Sequence, residues 1–148
     1  QQALDQVLMD LAIQIVNDGE GATKTITIRV RGAERDEDAE KIARTVANSN
    51  LVKTAFFGED ANWGRIFAAM GRSGVAFSPE QVDISFGNVT IVKNGLAVGE
   101  DAEKAATAIL KEKSFSVDID LKQGNGRDEI YTCDFSLDYV KINADYRS

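Results

Sequence analysis

The run Asn17-Asp18-Gly19-Glu20-Gly21-Ala22-Thr23-Lys24 decides how the rest of the chain is read. Upstream of it, Leu4, Val7, Leu8, Leu11 and Ile15 recur at the spacing of one apolar helical face. Downstream, Ile26, Ile28 and Val30 alternate with Thr25, Thr27 and Arg29, the pattern of a strand with one buried side. The run is therefore a helix-to-strand joint that carries a single carboxylate, Glu20, between two glycines. Gly19 is expected to end the helix in the left-handed conformation that glycine adopts without steric penalty. A phosphate-binding loop is excluded, because such loops run from strand through glycines into a helix, the reverse of the order here. Two readings of Glu20 stay open: a solvated residue at a helix stop, or a carboxylate placed to hold a cationic substrate.

Working outward, Ala39, Ile42, Ala43, Val46 and Ala47 form a second helical stripe, preceded by Asp36, Glu37 and Asp38 where a helix N-terminus favours acid. Leu51–Phe57 reads as a short buried strand closed by Gly58. Asn62 is expected to cap a helix whose face carries Trp63, Ile66, Phe67 and Met70, with Trp63 as a core anchor. Gly64 in its first turn is unfavourable for a helix unless another backbone approaches closely. Ser78-Pro79-Glu80-Gln81 suits a single helical turn, and Asn94-Gly95 is the strongest hairpin signal. Ala102, Ala105, Ala106, Ile109 and Leu110 mark a further helix, with Asp101 as its expected cap. Phe115, Val117, Ile119 and Leu121 alternate with polar residues. Beyond Gly124-Asn125-Gly126, Tyr131, Cys133 and Phe135 do the same on a return strand, with Cys133 expected in the core. This mixture predicts an α+β fold, mixed or antiparallel sheets with hairpins packed by three to four helices.

Composition narrows the chemistry. A net charge of −7, from 17 basic and 24 acidic residues, argues against nucleic acid, whose phosphates demand a basic face. No apolar run approaches the roughly 20 residues of a membrane span, so neither a nucleic-acid nor a membrane partner is expected. The lone Cys133 permits no internal disulfide and fits a reducing, cytoplasmic setting. The chain has no histidine, which removes Ser-His and Cys-His nucleophile pairs and histidine-based zinc sites. No metal or cofactor is expected. Helical periodicity already runs by Leu4, so the chain reads as part of something longer.

Four segments lie in register with one known family: Asp18–Lys24, Leu51-Val52-Lys53-Thr54-Ala55, Asn62-Trp63-Gly64-Arg65-Ile66, and Asp138–Ser148. Together they resemble the C-terminal part of the β chain of ornithine acetyltransferase, also called glutamate N-acetyltransferase, a bifunctional enzyme of arginine biosynthesis. The resemblance runs the length of the chain and implies an N-terminal-nucleophile-type (DmpA/ornithine acetyltransferase-like) enzyme. It implies a precursor that cleaves itself before a threonine, giving α and β chains that stay associated, in a heterotetramer of two α and two β. That threonine becomes a nucleophile with its own amino group as base, a chemistry that needs no histidine. It carries acetyl from N2-acetylornithine to glutamate, with acetyl-CoA a possible co-substrate.

Carried over residue by residue, the resemblance makes Glu20, Asn143 and Ser148 substrate-binding residues. It leaves no catalytic residue in this chain, because the nucleophilic threonine lies upstream of Gln1. The chain alone is therefore expected to be inactive, with the α chain and the rest of the β chain as its partners. Ala61 stands where the family usually has proline. Residues 1 to about 75 would be the end of the catalytic core, and about 76–148 a smaller C-terminal α+β lobe. Two other functions compete with this one: an aminopeptidase relative of the same fold, and a non-catalytic amino-acid-binding or assembly module.

Overall fold

The computed structural model describes residues 1–145. In chain order its elements are α1 (Gln2–Asn17), β1 (Thr25–Ala33), α2 (Asp36–Ala47), α3 (Asn50–Phe57), α4 (Trp63–Gly71), β2 (Asp83–Phe86), β3 (Val89–Lys93), β4 (Leu96–Ala97), α5 (Glu100–Leu110), β5 (Ser114–Asp120), β6 (Gly126–Cys133) and α6 (Leu137–Asp145). The strands form one mixed sheet in the order β4-β3-β2-β5-β1-β6, so the α+β reading holds.

β1 runs parallel to β5 and antiparallel to β6, and Ile28 pairs with both Val117 and Ile130. Because paired residues share a face, Ile26, Ile28, Val30, Ile84, Phe86, Phe115, Val117 and Ile119 line up on one side. All are buried beneath the helices, with Ile42, Val46, Phe56, Ile66 and Met70 closing the core. Phe56, Phe86 and Phe115 meet edge-on or tilted, with ring centroids 5.5–6.4 Å apart. The opposite face of the sheet is polar. There Arg29 bridges Glu129 (2.6 Å) and Asp118 (3.7 Å), and Arg31 pairs with Asp120 (3.0 Å). Strands contributed by the first and second halves of the chain therefore share one sheet and one core.

Several local expectations are corrected. Residues 50–57 are a helix, not a strand: Val52, Ala55 and Phe56 are its buried residues, at helical spacing, and so short an apolar run carries no decisive period by itself. β5 and β6 do not form a hairpin, because β1 lies between them. Their connection crosses the end of β1, where Gly124 rests on Ala33 and Gly126 on the Arg35 carbonyl, so closely that no side chain fits. Cys133 faces away from the helix-covered core and is only half-buried, because its neighbour Thr132 takes the core side and donates to the Ala47 carbonyl at 3.1 Å. α5 is capped by Gly99 at φ 130°, and Asp101 sits inside its first turn. Among the described residues no backbone crowds Gly64.

Asn62 does cap α4, its Oδ1 accepting the Arg65 N–H at 3.0 Å. The Arg65 guanidinium ties α4 to α3 through the Leu51 carbonyl at 2.9 Å. Trp63 is half-buried against the core and donates from its indole nitrogen to Glu103 on α5 at 3.4 Å. Asn94 (φ 49°) and Gly95 (φ 74°) make the expected β3–β4 turn.

Candidate functional site

The glycine joint is held from three directions. α1 ends at Asn17, with Asp18 as its C-cap at φ −88°, so the left-handed residue is Gly21 (φ 67°) rather than Gly19. Past the turn, the buried Asp134 carboxylate accepts from Thr23 N–H (2.7 Å), Thr23 hydroxyl (2.5 Å) and Lys24 N–H (2.9 Å). The Lys24 stem runs inward, and its ammonium donates to the Leu110 carbonyl at 2.6 Å and the Phe56 carbonyl at 3.2 Å. A cation is thereby placed at the negative C-terminal ends of α5 and α3 together, where the helix dipoles favour it. The third hold is Ser136, whose hydroxyl donates to the Gly21 carbonyl at 2.5 Å and accepts the Tyr139 N–H at 3.3 Å. Gly21 thus lies against the start of α6, and a methyl group added there would come within 2.5 Å of the Tyr139 nitrogen.

This scaffold leaves Glu20 exposed at the rim of a cavity of about 220 Å³. Asn48, Asn50, Lys53, Cys133 and Tyr139 line it as well. From α6, Asn143 Nδ2 donates to Glu20 Oε2 at 3.1 Å and to the Tyr139 carbonyl at 2.9 Å. With both amide hydrogens committed, Asn143 meets any further group through Oδ1, an acceptor. Glu20 and Asn143 together present oxygen acceptors and negative charge, suited to an ammonium group. The structure therefore brings together two of the three expected residues from positions 123 apart in sequence. The third, Ser148, lies outside the described residues.

Lys53, Asn48 and Asn50 were not anticipated as site residues. One signal was available in the sequence: Lys53 is the only charged residue within Leu51–Phe57. A larger hollow of about 430 Å³ lies elsewhere, on the polar sheet face around Arg29, Arg31, Asp118 and Glu129. Its charges neutralise one another across the strand register, and neither Glu20 nor Asn143 lines it. The smaller cavity, where sequence-distant polar groups converge, is the candidate site.

The ArgJ family pattern matches residues 1–148, the whole chain. This chain belongs to the ArgJ family. It is 73% identical over 148 residues to the arginine biosynthesis bifunctional protein ArgJ of Desulfotalea psychrophila, covering all of this chain and 38% of that protein. To the protein of the same name from Geobacter sulfurreducens it is 54% identical over 145 residues, covering 98% of this chain and 37% of the relative. The crystal structure of the Bacillus halodurans arginine biosynthesis bifunctional protein ArgJ superposes with a TM-score of 0.92 at 41% identity, over 98% of this chain and 68% of that one. The chain thus spans well under half the length of these curated ArgJ relatives.

Proposed function

We propose that this ArgJ-family chain is the C-terminal, substrate-holding part of a glutamate N-acetyltransferase of arginine biosynthesis. The reaction moves an acetyl group from N2-acetylornithine to glutamate. In the first half-reaction a threonine hydroxyl outside these 148 residues attacks the acetyl carbonyl; an ester forms, the amide C–N bond breaks, and ornithine leaves as its amine. In the second, the glutamate amine attacks the ester, which returns the hydroxyl and yields N-acetylglutamate. This chain supplies no nucleophile and by itself carries out no transfer. Its part is positioning, in which Glu20 and Asn143 hold the side-chain ammonium of ornithine, with Ser148 a further substrate-binding residue by the family resemblance.

The observation that carries this reading is the 3.1 Å bond between Asn143 and Glu20 at the mouth of an amino-acid-sized cavity. A carboxylate braced by an amide favours a diamine over an ordinary amino acid, because only the diamine brings a second ammonium to make a charge-assisted hydrogen bond with it. Family membership favours the transferase over the aminopeptidase relative. The partners are the α chain and the remainder of the β chain, in an assembly of two α and two β in the cytoplasm. The half-exposed apolar residues of α1, Leu4, Val7, Leu8 and Leu11, supply a surface for them.

The test is ornithine affinity and melting temperature of Glu20→Gln in the assembled protein. A loss of about 1.5–3 kcal/mol in binding, the range for hydrogen bonds to charged groups, with little change in melting, is expected. Unchanged affinity removes Glu20 from the site, and a collapse in stability makes it a structural part of the joint.

A further inference from the structure

Resting on the reading of this cavity as the ornithine site, we infer that Lys53 is a substrate-binding residue that receives the α-carboxylate, at the opposite pole from Glu20. Among the described residues, the cavity lining carries one carboxylate exposed to it and one ammonium. Glu20 comes from the glycine joint and Lys53 from the first turns of α3. The other acid on the lining, Asp134, is turned inward and spends its oxygens on Thr23 and Lys24. The site is therefore dipolar, and its complement is a dipolar ligand with an ammonium at one end and a carboxylate at the other.

Lys53 is held in place by its main chain. Its N–H donates to the Ser49 carbonyl at 2.9 Å, and its carbonyl accepts the Phe135 N–H at 3.2 Å. That second bond fastens α3 to the segment leading from β6 into α6, so Lys53 and Asn143 are referenced to the same piece of chain. Within the described residues the Lys53 ammonium meets the Cys133 sulfur at 3.8 Å. A thiol is a weak acceptor and leaves the ammonium capacity for a stronger one. Asn48 and Asn50, on either side of the α2–α3 junction, add amides that can donate to a carboxylate or accept from an amine. The Phe135 and Tyr139 rings, 4.5 Å apart, line the same cavity and add apolar surface suited to a short methylene chain.

The assignment gives the two amino acids of the reaction one common anchor. The ω-ammonium that Glu20 recognises belongs to ornithine alone, whereas the α-carboxylate is common to ornithine and glutamate. The reacting nitrogen sits on the same carbon as that carboxylate. A cation that fixes the carboxylate therefore also aims the nitrogen, which is how positioning lowers the barrier of a group transfer.

The experiment compares ornithine with 1,4-diaminobutane, the same diamine without the carboxylate, by calorimetric titration of the assembled protein. The wild type is expected to bind ornithine about 10- to 100-fold more tightly, as for one charge-assisted hydrogen bond. Lys53→Met abolishes that preference while leaving the affinity for 1,4-diaminobutane unchanged, and Lys53→Arg keeps it. Lys53→Gln provides the same comparison if the methionine form fails to assemble. A preference that survives removal of the charge overturns the assignment, as does an equal loss for both ligands, which marks Lys53 as a prop for the fold. Glu20→Gln is the independent arm: it weakens both ligands if the cavity is the ornithine site. Unchanged binding of both overturns that underlying reading, whatever Lys53 does.

Discussion

Asp83 shows how a single residue can bind three segments. Its carboxylate accepts from Lys93 (2.6 Å), Lys122 (2.6 Å) and the Asn94 N–H (2.8 Å), so β2, the β3–β4 turn and the exit of β5 meet on one charge. Burial alone would push its pKa up. The hydrogen bonds from Asn94, Lys122 and Lys93 outweigh that and hold it at about 2, against an ordinary 3.8. A carboxyl whose folded pKa lies below its unfolded one stabilises the fold above the unfolded value, and that contribution disappears as pH falls through the folded one. Asp83→Asn is therefore expected to lower stability by about 2 kcal/mol at neutral pH. The gap between wild type and variant should stay constant above about pH 5 and close as pH falls from about 4 toward 2. Melting curves across that range check it, and a gap that does not narrow would show that the carboxylate's ionisation is irrelevant.

At the scale of elements, α6 is the piece most dependent on the rest. Its residues are exposed, and Leu137, Val140 and Ile142 are among the uncovered apolar side chains. Its described moorings are the Ser136–Gly21 bond at one end and the Asn143–Glu20 bond near the other. Gly21→Ala attacks the first of these. It forces a side chain into φ 67° and drives a methyl to 2.5 Å from the Tyr139 nitrogen and 2.9 Å from the Ser136 hydroxyl. The expected cost is about 1–3 kcal/mol. Faster amide hydrogen exchange over residues 137–145 and weaker ornithine binding in the assembled protein should accompany it. Gly74→Ala is the control. Its φ of 75° carries the same backbone strain, but no described residue lies within 4 Å of the added methyl, so stability falls by about 1 kcal/mol with ornithine affinity intact. Equal effects of the two substitutions on affinity would mean that α6 docking has no part in the site.

For the molecule as a whole, the telling feature is what the core leaves uncovered. α1 has the apolar periodicity of a packed helix, yet none of its residues is buried; Leu8 is 56% exposed and Leu11 50%. Such a face is stabilised only by another surface, and in the proposed enzyme that surface is the remainder of the polypeptide. Purified alone, the chain should show no acetyl transfer from N-acetylornithine to glutamate, and co-expression with the remainder should restore it. Leu8→Glu with Leu11→Glu should prevent co-elution on size exclusion, with the chain's own circular dichroism unchanged. Normal co-elution of the double variant would place the partner surface elsewhere, and transfer by the isolated chain would overturn the division of labour. How much of this was legible without the fold depends on range. Local patterns suffice where a residue's role is settled by near neighbours: the alternation of β1 and β5, the Asn62 cap and the Asn94-Gly95 turn could each be read directly. The four segments in register likewise carried the family resemblance, and with it Glu20 and Asn143. Residues 50–57 could not be read, because an apolar run of that length suits strand or helix until Arg65 and the core choose between them. Nor could the insertion of β1 between β5 and β6, since strand order is set by which apolar faces meet in three dimensions and leaves no mark in the alternation of any one strand. Lys53 at the cavity, and the contact that joins Glu20 to Asn143, belong to the same class. Sequence neighbours mark Lys53 as a lone charge in an apolar run, but only folding brings it to the cavity and carries Asn143 across 123 residues to Glu20.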